Sequence, residues 1–206
     1  MYGDRVPRLW NDTVEAHRNE VSQAILDSTA TLIAEHGLRG VTMSAIAETT
    51  GIGRATLYKY FPDVEAILVA WHERHIGAHL QSLVEVRDRF DDPARALEAV
   101  LGAHALHTHE SRNHLGSELA ALVHSGSHVA EARDHLVGFV QGLLDAAAAA
   151  GNIRNDVAAA ELADFCLSAL SAATNLPSEP AVHRLVDLTM DALRGPRGNR
   201  RPAERP

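Results

Sequence analysis

Apolar positions along this chain recur at three- and four-residue intervals. In RNEVSQAILDSTATLIAEHGLRG, Val21, Ala24, Ile25, Leu32 and Ile33 share one face at the spacing of an amphipathic helix. Gly37 then offers the left-handed residue that ends a helix, and Leu38 can fold back on it. No β-type alternation of useful length appears, so the pattern predicts an all-α chain of about nine helices, three of them short and N-terminal.

The short elements follow in VTMSAIAETTGIGRATLYKYFPDVEAIL. Thr42 suits an N-cap for a helix running to Glu48, and Gly51 and Gly53 break that helix. A second short helix spans about Arg54 to Phe61, and Pro62 with Asp63 ends it and caps a third, long one. Ala47, Ile52, Leu57 and Phe61 are available to pack two short helices across a tight glycine turn, the pattern of a helix-turn-helix.

Later punctuation is regular. DDP at 91–93 places Pro93 in a first turn, and SGS at 125–127 makes a break. A helix is expected from about His128 to Ala150, another from Asn155 or Asp156 to about Thr174, and a last one over AVHRLVDLTMDALR. The tail GPRGNRRPAERP has no apolar period and reads as disordered and basic. The expected organisation is a flexible arm (1–17), a helix-turn-helix domain (18–62), a helical body (63–194) and the tail (195–206).

Charge sharpens this division. The net charge is −8, so the chain is not a polycation that coats nucleic acid indiscriminately. Residues 1–61 sum to −1 and residues 62–193 to −11, which keeps most negative charge away from the helix-turn-helix. The single cysteine, Cys166, excludes an intramolecular disulfide and fits a reducing compartment. With no signal-peptide pattern and no apolar run near the ~18 residues of a membrane span, the expectation is a cytoplasmic protein without membrane contact.

The second short helix has the chemistry of DNA recognition. Arg54, at its entry, can reach a guanine edge or a phosphate, and Thr56 is short enough for a base or a thymine methyl. Tyr58 and Tyr60 can donate hydroxyls to phosphate, and Lys59 adds a point charge. Thr42 can offer its hydroxyl and the free N–H groups of the preceding helix. Lys59 is the sole lysine in a chain otherwise using arginine. The competing reading makes the aromatic residues core, but Leu57 and Phe61 share a face from which Tyr58, Lys59 and Tyr60 mostly diverge.

Residues 20–68, through AILDSTATLIAEHGLRGVTMSAIAETTGIGRATLYKYF and VEAIL, resemble the DNA-binding domain of the TetR family of bacterial transcriptional regulators. GNIRNDVAAAELADF (151–165) is similar to a weaker pattern late in such proteins. Two positions depart from the family pattern: Val64 stands where lysine is usual, and Gly53 where serine is common. The resemblance implies a homodimer that places two recognition helices in successive major grooves of a palindromic operator on double-stranded DNA. It also implies a C-terminal body that binds a small-molecule effector and dimerises, hence a ligand-released repressor and not an enzyme. No cofactor is expected, and the effector is unknown.

Two late apolar stripes bear on dimerisation: Leu162, Phe165, Cys166, Ala169 and Leu170, then Val182, Leu185, Val186, Thr189 and Leu193. They either close a four-helix interface with a second copy or face the protomer's own core. The interface reading assigns Leu162, Phe165, Cys166, Ala169, Val182, Leu185, Val186 and Thr189 to the dimer.

Ten of the thirteen histidines lie between His72 and His135. They are solvated helix residues, pocket-lining residues or metal ligands. Trp71, His75, His79, His104 and His107 are the candidate effector contacts, since the resemblance places the pocket among these helices. His72, His75 and His79 share a face and form the alternative, a metal-binding or metal-sensing site. HERH at 72–75 lacks the fifth-position histidine of a metalloprotease motif, where Ile76 stands.

Overall fold

The computed structural model describes residues 6–114 and 127–194, and side chains within 14–111 and 129–194. Among these residues there are eight α-helices and no strand. They are α1 (Val6–His36), α2 (Met43–Thr50), α3 (Arg54–Tyr60), α4 (Val64–Arg87), α5 (Pro93–His114), α6 (Ser127–Ala149), α7 (Ala159–Leu170) and α8 (Glu179–Arg194). The expected count was about nine; the tail from residue 195 and most of the break at 125–127 lie outside the described residues.

The helices fall into two compact units, with the division within α4 at His75 and Ile76. In the first unit α1 packs on α2, and α2 on α3. Its core holds Ile25, Leu26, Leu32, Val41, Ile46, Leu57, Ile67 and Trp71. Thr29 is buried there without an orphaned hydroxyl, since Oγ1 donates to the Ile25 carbonyl at 2.8 Å. The second unit has its own core, including Leu83, Leu97, Leu101, Leu144, Leu170, Val182 and Leu193.

Local chemistry sets several boundaries. Asp63 and Asp92 each cap a helix, accepting from the N–H groups of Ala66 and Arg95 at 2.8 Å. Gly37 ends α1 at φ 64°, and the chain then makes a short 3-10 turn over Leu38–Gly40.

Three expectations need correction. Residues 6–17, expected as part of an arm, are continuous with α1, and Pro7 lies in the first turn where proline is tolerated. Neither Asn155 nor Asp156 caps α7: the cap position is Ala158, and Asp156 is held by Arg154 through two 2.8 Å hydrogen bonds. Finally, α7 ends at Leu170 and tightens into a 3-10 segment over Ser171–Asn175, rather than running as one α-helix to Thr174.

Candidate functional site

The helix-turn-helix is built around α2, the turn and α3. Thr42 caps α2, its Oγ1 accepting from the Ala45 N–H at 3.1 Å. α2 continues to Thr50, two residues past the expected end. Gly51 stops it at φ 74°, its N–H bonded to the Ala47 and Glu48 carbonyls. The Ile52 N–H bonds to the Ala47 carbonyl at 3.0 Å, which closes the turn. Gly53 begins α3 without a side-chain cap.

α3 is held by one residue. Leu57 is 0% exposed, while Arg54, Ala55, Thr56, Tyr58 and Lys59 are exposed and Tyr60 is half-buried. Tyr58, at 49% exposure, is therefore not a core aromatic. Thr42 is also exposed. The surface of α3 thus combines a guanidinium, an ammonium, a threonine hydroxyl and tyrosine hydroxyls, all donors suited to phosphates and base edges. Val64, the first residue of α4, adds no charge.

α4 is tied to α1 at the edge of this unit. Arg74 Nη1 lies 2.8 Å from Asp27 Oδ1 and donates to Gln23 Oε1, also at 2.8 Å. Trp71 is buried, and the exposed His75 stacks on it with ring centroids 5.7 Å apart.

In the second unit the structure joins three of the candidate effector contacts. His79 stacks on His107 at 3.7 Å between centroids, with planes 11° apart. His79 Nε2 lies 3.2 Å from His104 Nδ1, a hydrogen bond that two neutral rings make in complementary tautomers. Burial, reinforced by His107, lowers the His104 pKa to about 4 and keeps the ring neutral. Ser111 Oγ is 3.3 Å from His107 Nε2. Among the described residues no group of three or more His, Cys, Asp or Glu side chains is arranged to hold a metal. His72, the first member of the alternative metal set, is buried.

The late stripes point inward. Leu162, Cys166, Val182 and Val186 belong to the core of the second unit, with Leu185 packed against it. Thr189 is buried and donates its hydroxyl to the Leu185 carbonyl at 2.8 Å, and Ala169 is half-buried. Burial pushes the Cys166 thiol up to about 11. Of the eight expected interface residues only Phe165 is exposed, at 44%. The reason is that α8 packs on both α5 and α7, which consumes the stripe. Leu188, 68% exposed on the opposite side of α8, is an outward apolar residue that stripe reasoning missed. Its signal was an isolated leucine among Arg184, Asp187 and Asp191.

A cleft of about 420 Å³ also escaped sequence reasoning. It is lined by Val86 and the segment just after α4 (Arg89, Phe90), by Glu98, Ala99, Gly102, Ala103 and Leu106 of α5, and by His183, Val186 and Asp187 of α8. None of the five candidate effector contacts lines it. Such a cleft gathers residues from two neighbouring segments and a distant third, which periodicity within one helix does not report.

Comparisons with known proteins agree with this architecture. Residues 25–71 match the family model for bacterial regulatory proteins of the tetR family, and residues 92–195 match that for the SbtR-like transcriptional regulator C-terminal domain. The chain is 30% identical over 93 residues to an uncharacterized HTH-type transcriptional regulator, MT1294, of Mycobacterium tuberculosis, covering 43% of this chain and 45% of that protein. It spans less than half the length of the curated relatives it matches. The structure resembles the TetR transcriptional regulator SCO0520 of Streptomyces coelicolor with a TM-score of 0.59 at 29% identity, covering 84% of this chain and 98% of that one. It shares its fold with a transcriptional regulator FadR of Bacillus subtilis, solved in complex with stearoyl-CoA, at a TM-score of 0.60 and 18% identity over 84% of this chain and 97% of that one. No helix among the described residues is long and apolar enough to cross a membrane. An N-terminal helix-turn-helix joined in sequence to a matching C-terminal regulatory domain makes this chain a member of the TetR family of transcriptional regulators.

Proposed function

We propose that the protein is a homodimeric repressor that binds a palindromic operator through α3 and leaves it when a small molecule binds the helical body. The observation that carries this reading is the exposure of Arg54, Thr56, Tyr58 and Lys59 around the single buried anchor Leu57. Tyr60 and the Thr42 end of α2 complete the proposed contact set. Arg54 and Thr56 read base edges, while Thr42, Tyr58, Lys59 and Tyr60 hold phosphates. The stearoyl-CoA complex of the Bacillus subtilis regulator supports a ligand-binding role for such a body. Of the five candidate effector contacts, the effector reading retains the three that the second unit brings together, His79, His104 and His107.

The dimer surface is reassigned to the outward side of α7 and α8, around Phe165 and Leu188, because the inward stripe is buried in the protomer. Two such helices from each copy make a four-helix contact. The test combines light scattering with anisotropy on labelled DNA from the protein's own upstream region. The expected result is a dimer whose DNA binding weakens steeply with salt, and whose Phe165→Asp/Leu188→Asp double variant is a folded monomer. A monomeric wild type, or a dimer indifferent to both substitutions, would remove the interface from the proposal. Absence of salt-sensitive binding to that DNA would remove the operator function.

A further inference from the structure

The cleft in the second unit has walls of opposite charge. Arg89 stands on the wall that follows α4, and Asp187 on the wall formed by α8. Neither side chain has an ion-pair partner among the described residues. Glu98, the other carboxylate of the lining, is already 3.4 Å from Arg194 Nη2. Between the walls the surface is apolar, with Phe90 on one side and Ala103 and Leu106 on α5. Its volume falls within the usual range for small-molecule sites, roughly 300–1,000 Å³. At Gly102 an added Cβ would meet nothing within 4 Å, so the floor there opens onto free space.

We propose that this cleft binds an amphoteric small molecule, its apolar body lying on α5 against Phe90, its anionic end on Arg89 and its cationic end on Asp187. An unblocked dipeptide of two apolar residues has this chemistry. A ligand lacking one charge would leave the corresponding wall partly desolvated and without compensation, which is the source of selectivity. The site is separate from α3 and from the histidine cluster, and its occupancy does not presuppose DNA binding.

The probe is unblocked Leu-Phe, measured by titration calorimetry on the full chain beside N-acetyl-Leu-Phe and Leu-Phe amide. Unblocked Leu-Phe is expected to bind, and each blocked form to bind at least about tenfold more weakly. Arg89→Gln should make Leu-Phe and its amide bind alike, whereas Asp187→Asn should do so for Leu-Phe and its N-acetyl form. Gly102→Leu should fill the floor and abolish binding while leaving the thermal midpoint and helical signal at wild-type values. Equal binding of all three probes, no binding of any at millimolar concentration, or wild-type affinity in Gly102→Leu would overturn the proposal. So would a change of oligomeric state in Gly102→Leu, since the cleft would then be a contact with a second copy.

Discussion

Acidification should destabilise the protein through His104, and the geometry sets how much. The ring is largely buried, bonded to His79 and close to His107, so its charged form is disfavoured in the fold. Its pKa falls from 6.5 to about 4. An unfolded chain therefore binds a proton there throughout the interval that the folded chain does not. Stability from this group is fully present above pH ~6.5 and drains away as pH falls toward ~4. By about pH 4.5 the loss approaches 2.5 kcal/mol, taking 1.36 kcal/mol per tenfold change in protonation. Urea melts at about pH 7.5, 6.5, 5.5 and 4.5 would be compared for wild type and His104→Asn. Asparagine keeps a polar group near the Nδ1 position but does not titrate. Carboxylates and the histidines that do not touch His104 contribute equally to both proteins, so the difference in their pH slopes reports His104 together with the two rings coupled to it, His79 and His107. Parallel slopes across this interval would refute the linkage.

Other substitutions probe the N-terminal unit. Leu57→Ala removes the only fully buried side chain of α3 and should cost about 2–5 kcal/mol, read by denaturant unfolding, with faster amide exchange in α3. Thr42→Ala deletes the α2 cap and should cost about 1 kcal/mol in the same assay. Gly51→Ala places a Cβ at φ 74°, so it should destabilise the turn although the space around it is open; a thermal midpoint equal to wild type would contradict this.

What was legible in the sequence was mainly local chemistry. Thr42, Asp63 and Pro93 announce helix starts because a cap needs only the next turn. Gly51 announces the helix-turn-helix because its positive φ suits glycine. The beginning of α1 was not legible: residues 14–20 are exposed all round, so no apolar face repeats there to mark a helix. Asp156 misled because a carboxylate near a helix start can serve either a backbone N–H or a neighbouring guanidinium, and Arg154 wins.

Periodicity on α7 and α8 correctly picked out residues that are mostly buried, but it carries no information on what buries them. That is why Val182 and Val186 fitted the interface reading from their spacing and yet lie in the core. The histidines show the same limit. His72, His75 and His79 share one helix face, yet His79 meets His104 and His107 from α5, and His75 stacks on Trp71.

The most direct test of operator recognition through α3 is a salt series of DNA-binding isotherms for wild type, Lys59→Ala and Lys59→Ala/Val64→Lys. The duplexes would be the protein's upstream region and a scrambled control. Lys59 is an exposed ammonium on α3, and Val64 begins the adjacent helix without charge. Lys59→Ala should weaken binding to both duplexes and lower the salt slope by about one per subunit, and Val64→Lys should restore part of each. Wild-type affinity and slope in Lys59→Ala would contradict the assignment of α3 as the DNA-binding surface.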